Sequence, residues 1–258
     1  MTILPAYVVD GPADGTPVVL SGSLGSDHRM WRPQASALAA AGYRVISYDH
    51  RGHGASLTPP GPYEMGDLAA DAAALLDELD LPDAHFAGLS LGGMVGMWLA
   101  AHRPDRVRGL VLCCTSADLN PRSGWADRAR LVRAEGTGAV AEAVVSRWLT
   151  PAHAQREPEF AAELRGMVAA TPAEGYAACC GAIERMDLLP LLPAISAPTL
   201  VISGAEDPAT PPDHGRLIAD RIPGARFALV EQAAHLGSVE QPAEFTRLIL
   251  DHLGALDV

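Results

Sequence analysis

The sequence predicts an α/β fold: a mostly parallel sheet wound by helices on both faces and interrupted once by a block of helices alone. Three observations carry this expectation. Short apolar runs alternate with helical patterns along most of the 258-residue chain. The runs are continuously apolar rather than alternating, as in strands covered on both faces. From about residue 119 to 190 the alternation stops and no strand pattern occurs.

In chain order, AYVVD (6–10) reads as an antiparallel edge strand. PVVLSGS (17–23), YRVISYD (43–49), HFAGLS (85–90), GLVLCCT (109–115), PTLVISGAED (198–207) and RFALVEQAAH (226–235) read as the remaining strands. Helices are expected at 34–41, 67–80, 92–103, 213–222 and 242–253. In 67–80, Leu68, Ala72, Leu75, Leu76 and Leu79 share one face. Residues 92–103 are apolar almost all round, as a helix buried against a sheet should be. Strand–helix alternation implies a doubly wound sheet with right-handed crossovers. WADRARLVRAEG, AVAEAVVSRWL, EFAAELRGMVAA and PAEGYAACCGAIERM read as four helices. The chain thus divides into a first core part (1–118), a helical cap (119–190) and a second core part (191–258). Such a cap would cover the carboxyl edge of the strands, where open α/β sheets bind ligands.

Composition narrows the function classes. The chain is 48% hydrophobic and 19% charged, enough to bury a large core. A formal net charge of −12 argues against a nucleic-acid partner, which needs a basic face. Anionic small molecules remain open, because a few buried arginines override the global charge. The cysteines form two adjacent pairs, Cys113-Cys114 and Cys179-Cys180, without metal-ligand spacing, and read as buried free thiols. MTILPAYVVDGPADG lacks the basic and apolar regions of a signal peptide, and no run of about 20 apolar residues occurs. A cytoplasmic protein without a membrane partner is the expectation; assembly as a homo-oligomer stays open.

Gly88-Leu89-Ser90-Leu91-Gly92 fits G-x-S-x-G at a strand-to-helix junction. There the serine takes a strained backbone, and glycines are needed where side chains would collide with the neighbouring strand and helix. The hydroxyl then projects at the sheet edge, beside the positive end of the helix dipole. Serine is a poor nucleophile unless a base takes its proton and a third group orients the base. Asp207 and His235 each follow a strand at the same edge, and the order Ser90, Asp207, His235 suits a hydrolase on this sheet. Backbone donors for an oxyanion are expected at Leu91 and, in the loop Ser21–Gly25, at Leu24. His50 and His53 in YDHRGHGAS lack an evident third ligand and read as part of a turn. Asp27-His28 follows no strand and is a weaker acid–base pair. No dinucleotide or phosphate-loop motif is present, and no metal or cofactor is expected.

YDHRGHGAS, GLSLGGMVGMWLAAHRPDRV, PTLVISGAEDPATPP and AAHLGSVEQP resemble the α/β-hydrolase superfamily. LSGSLGSDHRMW, RWLTP (147–151), ATPAEGYAACCGAIERMDL (170–188) and HGRLIADRIPGA (214–225) are further similar to the 3-oxoadipate enol-lactonases. The resemblance covers nearly the whole chain. It implies an eight-stranded, mostly parallel sheet with an inserted cap, and a carboxylic ester hydrolase opening a lactone that bears an acetate side chain. It assigns Ser90 as nucleophile, His235 as base, Asp207 as its partner, and the Leu24 and Leu91 N–H groups as oxyanion donors. Gly22 and Leu91 depart from the asparagine and methionine common in that family. Neither change removes a backbone N–H. The substrate carboxylate calls for a cation or N–H cluster, for which Arg128, Arg133 and Arg147 are the cap candidates; Trp125 and Trp148 are candidates to line the pocket or to anchor cap helices. An esterase, a C–C bond hydrolase, a cofactor-free perhydrolase, or a receptor that retains the three residues are the competing readings.

Overall fold

The computed structural model describes residues 1–120 and 123–257. The first half of the core runs β1 (Tyr7–Asp10), β2 (Pro17–Ser21), α1 (Arg32–Ala40), β3 (Arg44–Tyr48), α2 (Met65–Glu78), β4 (Ala84–Leu89), α3 (Leu91–His102) and β5 (Val107–Cys113). Then come α4 (Ser123–Glu135), α5 (Gly138–Trp148), α6 (Pro151–Arg156), α7 (Pro158–Ala170) and α8 (Ala173–Arg185). The chain returns through β6 (Thr199–Gly204), α9 (Pro212–Arg221), β7 (Arg226–Val230), α10 (Gly237–Glu240) and α11 (Pro242–Gly254).

The strands form one sheet in the order β1-β3-β2-β4-β5-β6-β7. β1 runs antiparallel to β3, and every other pairing is parallel. Among the described residues the sheet has seven strands, not the expected eight. The chain before β1 has its amides taken by side chains instead of a ladder. Ile3 N–H donates to Asp71 Oδ1 (2.8 Å) and Ala6 N–H to Ser56 Oγ (2.8 Å). Pro5 has no N–H to give.

The continuously apolar runs at β4 and β6 are buried along their whole length. β7 departs from that pattern because it is the sheet's edge, and most of it is at least partly exposed. It also ends at Val230, five residues short of the expected run, so His235 stands on a loop. Leu68, Ala72, Leu75 and Leu76 of α2 are buried, while Leu79, just past its end, is half-buried. α6 is an unforeseen helix. Its six residues are too few to show periodicity. It starts because Thr150 Oγ1 caps the His153 N–H (3.2 Å) and Pro151 fills the first helical position.

One buried ion pair ties α2 to the turn after β3. Arg51 makes a bidentate contact to Asp71, Nε–Oδ2 2.6 Å and Nη2–Oδ1 2.7 Å, with the two residues 3% and 1% exposed. The guanidinium also donates to the carbonyls of Met1 and Asp67, so the pair pins the N-terminus as well. Removing one partner would leave a charge buried without compensation. Asp71→Ala is expected to lower unfolding stability by about 3–5 kcal/mol in urea titration; a loss under about 1 kcal/mol would contradict this account.

Candidate active site

β4 lies between β2 and β5, and the chain leaves its end through Ser90 into α3. Ser90 has φ 56° and ψ −113°, a region that non-glycine residues rarely occupy. Its neighbours explain how the turn is held. Ser90 N–H donates to Cys113 O (3.0 Å), and Thr115 Oγ1 donates to Ser90 O (2.7 Å). A Cβ at Gly88 would lie 2.2 Å from Gly92 O, and one at Gly92 would lie 2.1 Å from Ser21 O. The two glycines therefore let α3 approach its own strand and β2 at backbone contact distance. That approach brings Gly92 N–H onto Gly22 O (2.9 Å) and fixes the loop after β2 beside the serine.

Asp207 follows β6, and His235 stands on the loop after β7. His235 Nδ1 lies 2.8 Å from Asp207 Oδ2. The carboxylate is saturated: Oδ1 accepts from Ala209 N–H (2.8 Å) and Thr210 N–H (3.0 Å), and Oδ2 also accepts from the Thr210 hydroxyl (2.7 Å). Burial alone would raise the Asp207 carboxyl. The His235 imidazole and the Thr210 donors outweigh it and hold the group below its ordinary value. An ionised Asp207 makes Nδ1 the donor, so Nε2 of neutral His235 is left as an acceptor. Ser90 and His235 line one small cavity of about 60 Å³. Drug-sized pockets occupy roughly 300–1,000 Å³, so this one suits a small ligand.

The loop Ser21–Gly25 forms another wall, with Ser23 and Leu24 on the cavity. The amides around Leu24 and Leu91 are committed: Ser23 N–H points to Met30 Sδ (3.2 Å), Gly25 N–H to His53 Nε2 (2.9 Å), and Ser90 and Gly92 as given above. His50 and His53 serve this loop. His50 Nε2–H donates to Gly22 O (3.0 Å), and His53 accepts from Gly25 while its Nδ1–H donates to Arg51 O (3.1 Å). Burial, then the neighbouring His53, push His50 down to about 3; burial lowers His53 too. The turn expected from the sequence is thus also the scaffold of the candidate oxyanion loop. Asp27 and His28 lie away from the cavity. Asp27 binds Arg29 through both oxygens, and His28 Nδ1 meets Asp49 Oδ1 at 2.9 Å. Asp27, His28 and Asp49 could together hold an ion, but those contacts already occupy them.

Trp125, Arg128, Arg147 and Trp148 line the cavity from α4 and α5. Arg133 does not. It is half-exposed and pairs with Glu174 at 2.8 Å. Five residues beyond Arg128 on the same helix, it points about 140° away. Arg128 lies 4.7 Å over the Trp125 ring. Among the described residues neither Arg128 nor Arg147 has an acidic partner. Burial and the charge of Arg128 depress the Arg147 guanidinium pKa, which marks uncompensated cations facing each other. Met94, Leu119, Val144, Tyr176, Ile183 and Thr210 also line the site. Tyr176 is fully buried, and burial, only partly offset by the nearby Arg128, pushes its hydroxyl up to about 12. A lone Tyr in a helix carries no sequence signal for this, because only packing of α8 on the rest of the fold places it. A larger cleft of about 810 Å³ lies between α6–α7 and the core and touches neither Ser90 nor His235.

A serine at a strained strand–helix turn, sharing one cavity with an imidazole braced by a carboxylate at the same edge of a mostly parallel sheet, defines a hydrolase-type architecture. The chain belongs to the α/β hydrolase fold family, which matches residues 16–242. It is 41% identical to 3-oxoadipate enol-lactonase 2 of Acinetobacter baylyi, over 94% of this chain and 90% of that protein. A RutD protein of Variovorax paradoxus, named for carbamate hydrolysis, is 37% identical over 96% of this chain and 95% of its own. The crystal structure of the enol-lactonase from Burkholderia xenovorans LB400 superposes with a TM-score of 0.94 at 42% identity, covering 96% of each chain.

The two neutral histidines give the loop a pH signature. Their folded-state pKa values lie below the unfolded value of about 6.5, so acid loads protons onto the unfolded chain first. Stability present above about pH 6.5 is lost as pH falls toward the folded values. His50, pushed down to about 3, is expected to contribute a decline of about 1.4 kcal/mol per pH unit below about pH 6, and His53 adds a decline of the same sign. Urea midpoints from pH 6 to 4.5 should show a shallower slope in His50→Asn than in the parent; parallel slopes would rule the assignment out.

Proposed function

We propose that the protein is a serine hydrolase that opens the ring of 3-oxoadipate enol-lactone to give 3-oxoadipate, a step of aromatic catabolism in the β-ketoadipate pathway. The observation that carries this reading is one small cavity that holds Ser90, the Asp207-braced His235 and two arginines that have no acidic partner among the described residues. Nucleophile, base and a seat for an anionic substrate thus line the same cavity. The likeness to enol-lactonases in sequence and in fold supports the choice of lactone.

His235 Nε2 takes the Ser90 proton as Oγ attacks the lactone carbonyl. The carbonyl oxygen becomes an oxyanion that the Leu24 and Leu91 N–H groups stabilise, each by about 3–4 kcal/mol. The tetrahedral centre collapses, the C–O bond to the enol oxygen breaks, and His235 returns its proton to the leaving group. The enol is now part of the acyl chain and becomes the ketone. Water, deprotonated by His235, adds to the acyl-enzyme and releases the second carboxylate and Ser90. Asp207 stays ionised throughout and stabilises the imidazolium. Thr210, bonded to the same carboxylate oxygen as His235, keeps that oxygen aligned. Arg128 and Arg147 bind the acetate carboxylate, and Trp125 and Trp148 shape the wall around the ring. Residues 119–190 act as the cap that supplies these side chains. No step requires a metal or cofactor.

The test is the loss of enol-lactone absorbance on adding the protein. Ser90→Ala is expected to lower kcat/KM by about 10⁴-fold or more. Strong turnover of simple esters or carbamates with an inert enol-lactone would reject the lactone and favour an esterase, or the carbamate reading that the RutD likeness supports. Replacing both arginines, as Arg128→Met with Arg147→Met, should raise KM for carboxylate-bearing substrates by about 100-fold or more, since two charged hydrogen bonds at about 1.5–3 kcal/mol each would be lost. Neutral p-nitrophenyl acetate should be turned over at near-parental rates. Equal losses on both substrates would remove the arginines from substrate recognition.

A further inference from the structure

The cap and the histidine loop meet along a seam that the chemistry above does not use. His235 N–H reaches Arg147 O (3.4 Å), and Leu236 N–H donates to Trp148 O (2.8 Å). Glu240, the last residue of α10 and 6% exposed, closes the seam with both carboxylate oxygens. Oε1 accepts from Thr150 N–H (2.7 Å) and from the Thr150 hydroxyl (2.8 Å). Oε2 accepts from Ala234 N–H (2.5 Å). Ala234 directly precedes the imidazole residue, and Thr150 sits two residues beyond Trp148 and three beyond Arg147. One buried carboxylate therefore grips the chain segment that presents His235 and the segment that presents the arginine–tryptophan wall.

The donor set explains why the residue is acidic. Three hydrogens converge on it, so two acceptor oxygens are needed. A glutamine could satisfy only one side, because its NH₂ would face an N–H donor on the other. The cleft of about 810 Å³ opens behind the seam and is lined by Glu240 itself. That leaves less packing on this side and makes the hydrogen bonds carry more of the loop's placement.

We propose that Glu240 is a positioning residue that fixes the His235 imidazole relative to Arg147 and Trp148, so that proton transfer and substrate seating share one geometry. The inference rests on the serine-hydrolase reading given above. Displacing either segment by about an ångström is enough to cost on the order of a hundredfold in rate.

The experiment compares the intact parent chain with Glu240→Gln, Thr150→Val and Ser90→Ala. The substrates are p-nitrophenyl acetate and mono-p-nitrophenyl succinate, with rates expressed per folded molecule by near-UV circular dichroism. Glu240→Gln is expected to lower kcat on both esters by about 10–100-fold and to raise KM for the succinate ester but not for the acetate. A structural role alone would lower the melting temperature and leave kcat and KM per folded molecule within twofold of the parent; that result overturns the proposal. If Glu240→Gln does not fold, Thr150→Val decides, since it deletes one of the three donors. A reduced kcat in the folded variant supports the role, and parental kinetics overturn it. Activity lost in Ser90→Ala but intact in Glu240→Gln defeats this proposal alone. Activity that survives Ser90→Ala defeats the underlying reading and this proposal with it.

Discussion

Ser90 sits at φ 56°, a conformation that costs about 1–3 kcal/mol for a residue with a Cβ, and the surrounding core is built so that it has no alternative. Its N–H and C=O are both claimed from the end of β5 and the residues just after it, by Cys113 O and Thr115 Oγ1. α3 is seated so tightly that Gly88 and Gly92 cannot carry a side chain without backbone collision. Relaxing the serine would require moving a buried helix away from two buried strands. The strain is thus over-determined by packing, and the hydroxyl is presented at the sheet edge.

The same close approach organises the loop after β2. Gly92 N–H on Gly22 O joins that loop to the elbow, and His50 and His53 hold its other side through Gly22 O and Gly25 N–H. Both rings are buried and neutral, so they act as shaped donor and acceptor without bringing charge near the serine. Charge enters the site in two places. Asp207 is surrounded by donors and faces His235. Arg128 and Arg147 line the same cavity from α4 and α5. In a chain of net charge −12, two arginines that have no acidic partner among the described residues share one small cavity. Glu240 joins the two segments together with the backbone bonds from His235 and Leu236, since it bonds Thr150 on one side and Ala234 on the other.

Much of this was legible in the residues. Continuous apolar runs gave the buried strands β4 and β6, and the break in alternation gave the helices between β5 and β6, because burial on both faces and helical periodicity leave local marks. G-x-S-x-G is readable since the glycines are local requirements of the turn. Asp207 and His235 could be chosen because strand ends are countable and place both at one edge of the sheet. The seven strands read from the residues are the seven of the sheet, and the eighth that the resemblance implied is absent among the described residues; the short α6 and the early end of β7 have local causes, in a helix too short for a period and an edge position.

What the sequence by itself determined is the order of elements, the turn that strains Ser90, and the edge on which three chemistry-bearing residues fall, since all of these follow from periodicity and backbone sterics. The tertiary structure alone decided the rest. It placed Arg147 on the cavity and left Arg133 in a surface pair with Glu174, made His50 and His53 struts of a loop more than twenty residues away, and set Glu240 across a seam from Thr150. Those outcomes depend on how α4–α8 pack against the sheet and its loops, and a contact between residues ninety positions apart, such as Thr150 and Glu240, is fixed by three-dimensional packing, which leaves no periodic signal along the chain.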